Sequence, residues 1–105
     1  MQIAHGDVLL IPINHPTPIE GPRHSEIVLT AGVGETGVWH SHVLIGDLVL
    51  DEATRIVQVH TATLVTRDIE SNVTGRHESI AVPAGTYRIA LQREFSPQRD
   101  MPAAD

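Results

Sequence analysis

Apolar positions along this chain come in short runs, most of them alternating or densely β-branched. The stretches at 7–13 (DVLLIPI), 26–31 (EIVLTA), 38–45 (VWHSHVLI), 47–51 (DLVLD), 55–66 (RIVQVHTATLVT), 77–82 (HESIAV) and 86–95 (TYRIALQREF) are rich in Val, Ile, Leu and Thr. Turn-forming residues separate them: Gly32, Gly34 and Gly37, then Gly46-Asp47, Ser71-Asn72 with Gly75, and Pro83-Ala84-Gly85. Runs of this length between turn signals read as strands. No window sustains an apolar period of 3.6 residues, so little helix is expected. Seven short, closely spaced strands predict an all-β single domain, built as a small barrel, roll or sandwich.

Two stretches fall outside that pattern. Residues 12–25 (PINHPTPIEGPRHS) carry four prolines and read as a long, loosely held loop without regular pairing. Residues 96–105 (SPQRDMPAAD) read as a tail, which leaves 1–95 as the domain. In the closing strand, alternation puts Tyr87, Ile89, Leu91, Arg93 and Phe95 on one face and Arg88, Ala90, Gln92 and Glu94 on the other. The first set is the more apolar and is expected to pack inward.

Composition narrows the class. With 105 residues, 41% hydrophobic and 19% charged, the chain suits one folded domain with one modest core. Its net charge is −6 and its seven basic residues are all arginine, a balance that argues against nonspecific binding to nucleic acid or anionic membrane. Cysteine is absent, so disulfides and thiolate ligands are excluded, and any metal must be held by nitrogen and oxygen. The first sixteen residues, MQIAHGDVLLIPINHP, lack a basic region followed by a long apolar stretch, and no segment approaches ~20 consecutive apolar residues. A cytoplasmic location is the default expectation, with a trimmed secreted form left open.

The candidate chemistry lies in the seven histidines. His5, His15 and His24 precede a turn or sit in the proline-rich loop and read as solvated. His60 shares its parity with Ile56, Gln58, Ala62 and Leu64, and reads either as a hydrogen-bonded core or interface histidine or as a ligand. His40 and His42 differ from these. Side chains two apart on a strand point to one face, so H-x-H presents two imidazoles to one ion. Val38, Trp39, Val43, Leu44 and Ile45 around them suggest burial, against the alternative of a wet surface strand.

Two imidazoles do not make a tight site, so a third ligand is required. His77, opening the strand before VPAG, is the first choice, with His60 and Glu78 as alternatives. Glu78 would point to the face opposite His77 and otherwise reads as an exposed carboxylate. Gln92 and Glu94 are candidates for orienting an imidazole through its second nitrogen. Nucleophile elbows, phosphate-cradling loops and dinucleotide fingerprints are absent, and the glycine-rich AGVGETG at 31–37 carries an acid and no lysine.

Gly34 followed after five residues by His40-x-His42, together with VPAGTYR at 82–88, resembles the two motifs of the cupins. That resemblance implies a small jelly-roll β-barrel, commonly dimeric, with one metal ion inside. In this sequence the acidic position after H-x-H falls on Asp47, and the histidine position after the P-x-G turn is Arg88. Arg88 and Glu94 are therefore the catalytic candidates, with Arg88 as an anion-orienting group or else part of a wet face.

A second resemblance spans more of the chain. HGDVLLIPI, the central H-x-H, HESIAVPAGTYRI and QREFSP resemble a family of small, largely uncharacterised proteins of bacteria and their phages. Here Trp39 stands where that family has a glycine, Ser79 where it has a proline, and Thr74 where it often has a histidine. Together the patterns imply a homodimeric metalloprotein with His40, His42 and His77 around one divalent ion: zinc, copper or iron. The reaction would be oxidative with copper or iron, and water activation with zinc. An oligomeric, metal-free binding or assembly barrel, co-chaperonin-like or phage-associated, is the alternative.

Overall fold

The structure is a computed structural model and describes residues 2–15, 18–33, 37–75 and 77–91. The strands are β1 (Ile3–His5), β2 (Val8–Pro12), β3 (Arg23–Val33), β4 (Trp39–Asp51), β5 (Ile56–Arg67), β6 (Val73–Thr74), β7 (Ile80–Val82) and β8 (Gly85–Leu91). No helix occurs among the described residues, so none there is long and apolar enough to cross a membrane. The all-β expectation holds.

All strand pairs are antiparallel, in the order β1-β2-β8-β5-β4-β3. One edge of β5 carries three partners in turn: β8 along 56–59, β7 along 62–64 and β6 along 66–67. Among the described residues the sheet does not close. β1 and β3 each keep a free edge there, as a small all-β domain with edge strands is expected to. Instead the sheet coils around its core. Ile3, Val8 and Leu10 from one flank share a single apolar cluster with Ile27 and Leu29 from the other.

The largest departure from the sequence reading is β4. Two strands were expected, broken at Gly46-Asp47, yet β4 runs unbroken through both. Gly46 permits a close approach here, not a turn: a Cβ at this position would collide with the Thr61 carbonyl and lie 2.8 Å from the Ala62 Cα. Just beyond, Asp47 pairs with Thr61 but Leu48 pairs with Val59, leaving His60 as the extra residue of a β-bulge. The bulge flips the parity of β5. Val57 and Val59 point inward on one side of it and Leu64 on the other.

Leu10, Leu44, Leu48, Leu64, Val8, Val57 and Val59 are almost completely removed from water. Burying each such side chain contributes about 1.5–3 kcal/mol. Tyr87 and Ile89 pack inward from β8 as expected, and the Tyr87 hydroxyl donates to the Pro83 carbonyl at 2.7 Å. Burial pushes that hydroxyl above the usual tyrosine range.

On the outer face, Arg67 donates two hydrogen bonds to the Glu26 carboxylate, at 3.0 and 2.9 Å. Register places Glu26 opposite Ile45 and Arg67 opposite Ser41, so the pair spans the buried Val43. Those hydrogen bonds, then the Arg67 charge, hold Glu26 below the usual carboxylate range.

The proline-rich segment is tied down more than expected. β3 begins at Arg23, Ile19 is buried, and the Ile13 amide donates to the Thr86 carbonyl at 3.0 Å. Neither β1 nor β6 was expected. Residues 92–95 of the expected closing strand, with Gln92 and Glu94, and the tail 96–105 lie outside the described residues.

Candidate metal centre

The inward face of β4 carries His40, His42, Leu44, Leu48 and Leu50, all buried. The period of two that aims the leucines at the core aims the imidazoles at it too. His42 is 0% exposed and His40 4%. His77 reaches them from the segment between β6 and β7, since β7 starts only at Ile80. It is half-buried, so the cluster is open on that side.

Ring centroids of His42 and His77 lie 5.1 Å apart, those of His40 and His42 5.3 Å, and those of His40 and His77 6.4 Å. One nitrogen from each ring falls within 4.8 Å of the other two, a group that can hold a metal ion. Nitrogens on one tetrahedral ion sit about 3.4 Å apart, given metal–nitrogen bonds near 2.05 Å. Small side-chain rotations cover the difference.

A fourth imidazole was missed. His5 reads as a solvated residue in the sequence but is 3% exposed, and this corrects that expectation. It ends β1 just before the two-residue turn Gly6-Asp7, where Gly6 adopts a φ of 61° that suits a tight hairpin. The available signal was Gly-Asp between two apolar runs, with Ile3 and His5 on one parity. The turn also holds Asp7, a buried carboxylate outside the ligand group.

Hydrogen bonding of His5 bears on which nitrogens could serve as ligands. His5 Nε2 lies 3.0 Å from the Glu78 carbonyl, which only accepts, so Nε2 carries the proton. In a neutral ring His5 Nδ1 is then an acceptor, and at 2.8 Å it takes the Nδ1–H of His42. A ligand bond from His42 would then be made by Nε2. His40 follows the same rule: its Nδ1 lies 3.3 Å from the Val38 carbonyl and donates to it, so a ligand bond from His40 would be made by Nε2. Metal-bound histidines are commonly oriented in this way through the other nitrogen. Glu78 thus enters through its backbone, while its side chain is exposed.

The remaining candidates lie elsewhere. His60 is exposed at its bulge and outside the ligand group. Asp47 pairs with Arg23 at 3.4 Å on exposed surface. Arg88 is exposed, on the face opposite the buried Tyr87 and Ile89. His15 is exposed, while His24 is corrected from a loop to the start of β3, half-buried with its Nε2 shielded from water.

Thr66 was not singled out by the sequence either. It stands directly opposite His42 on β5, is 0% exposed, and its Oγ1 has no hydrogen-bond partner among the described residues.

Comparison with protein-family models, curated proteins and solved structures finds no match for this chain.

Proposed function

We propose that this protein is a small cupin-like metalloenzyme holding one divalent transition-metal ion on His40, His42 and His77. The convergence of those three imidazoles, two of them buried, is the observation that carries this reading. Three neutral nitrogen ligands leave a coordination position open, the arrangement of catalytic sites, where structural sites are closed by four ligands. Zinc would activate water there, and copper or iron would support oxidative chemistry. Imidazole suits all three metals, so the reaction is either metal-assisted hydrolysis or hydration, or an oxidation.

The test is the metal content of the purified protein and of His40→Ala, His42→Ala and His77→Ala, read by elemental mass spectrometry. One ion per chain in the parent and a large loss in each variant is expected. Full occupancy in His77→Ala would remove it from the ligand set.

A homodimer accompanies this reading. Among the described residues β3 ends the sheet with a free edge, and Val28 and Val33 on that strand are 59% and 65% exposed. The same edge is what favours the second reading, a metal-free assembly module. A monomeric mass at micromolar concentration would exclude both the dimer and the module.

A further inference from the structure

Thr66 has a place in the site that ligation does not explain. Register runs Thr30, His42, Thr66 and Thr74 in one row across β3, β4, β5 and β6. Directly opposed residues share a face, with Cβ atoms about 4.5–5.5 Å apart. Thr66 therefore stands beside His42 on one side and beside Thr74, three residues before His77, on the other.

A fully buried hydroxyl without a partner is unfavourable, and valine would fill the same volume without that penalty. The hydroxyl has a use if something enters the site that it can bond. A divalent ion held by three neutral rings brings uncompensated positive charge into a buried place, which favours an anion in the open position. His77 is the half-buried member of the cluster, while His42 and Thr66 have no exposed surface, so a group that reached the Thr66 hydroxyl would have to be small.

We propose that a small carboxylate occupies the open position of the ion and that the Thr66 hydroxyl donates a hydrogen bond to its oxygen. This rests on the metal-site reading above. Thr66 would select oxygen donors over apolar or sulfur ligands, and the substrate would be a small carboxylic acid or a molecule presenting a carboxylate end.

The experiment loads the full chain with cobalt(II), a visible reporter of coordination, and titrates acetate into the parent, Thr66→Val and Thr66→Ser. Acetate should change the cobalt absorption of the parent. Thr66→Val should bind cobalt equally but acetate at least ~10-fold more weakly, the loss expected for a hydrogen bond to a charged group. Thr66→Ser, which keeps the hydroxyl, should stay within about threefold of the parent by the same reasoning. The melting temperature of metal-free Thr66→Val should equal or exceed that of the parent, since no internal bond is lost. A lower melting temperature would give the hydroxyl an internal partner and overturn the inference. Equal acetate affinity in parent and Thr66→Val, or no acetate response in a cobalt-loaded parent, would overturn it while leaving the metal site standing. Failure of the parent to bind cobalt would overturn both.

Discussion

The inward face of β4 is two regions in one strand. From Leu44 onward it is leucine, opposed by Leu64, Val59 and Val57, and its contribution is ordinary burial. Upstream it is His40 and His42, opposed by a threonine and crossed by two further imidazoles. Both regions lie on one strand and are similarly buried, although the bulge at His60 shifts the register of β5 beyond Asp47. Only the first stabilises by leaving water. The second keeps polar groups out of water, which is tolerable because His5, Glu78 and Val38 supply hydrogen bonds. A fold that spends part of its core this way trades stability for a site.

The sharpest way to break the comparison is to damage each half. Leu44→Ala removes a side chain that is 0% exposed and should lower unfolding free energy by about 2–5 kcal/mol in urea denaturation. It should leave metal stoichiometry intact. His42→Ala should do the reverse in kind, lowering metal affinity by more than the ~100-fold that outlying partners account for. Competition with a chelator measures it, and a variant that keeps parental affinity would place His42 in the apolar half.

His5→Ala sharpens the boundary between ligand and support. It removes the acceptor that holds the His42 Nδ1 proton, so metal affinity should fall ~10–100-fold without vanishing. Complete loss of binding would make His5 a ligand itself. Outside both halves, His60→Ala and Arg88→Ala change exposed residues and should stay within about 0.5 kcal/mol and at parental metal content.

The smallest effect concerns pH. Because Arg67 depresses the Glu26 carboxyl in the folded state, its stabilisation is present above the unfolded glutamate value and lost as pH falls through the folded one. Glu26→Gln should therefore flatten the acid limb of stability slightly and change nothing near neutrality beyond the loss of an exposed pair. A steeper acid limb in the variant would contradict this sign.

Alternation made the strands and their class legible, and H-x-H made the two central imidazoles legible, because both depend on spacing within one segment. What stayed hidden depends on pairing between segments. Gly46 looks like a turn until β5 is laid against it, and His60 shares a parity with Leu64 only if no residue bulges. His5 lies four strands away from β4 along the sheet and meets His42 only because the sheet coils. Thr66 gains meaning solely from standing opposite His42. Short strands such as β6, two residues long, carry too little pattern to be read at all.

The metal stoichiometry of the parent beside that of the triple variant His40→Ala, His42→Ala, His77→Ala tests the central claim most directly. After incubation with zinc and desalting, native mass spectrometry should find one ion per parent chain and none on the variant. Parent chains that remain metal-free, or a triple variant that retains its ion, would contradict a metal centre built on these three histidines.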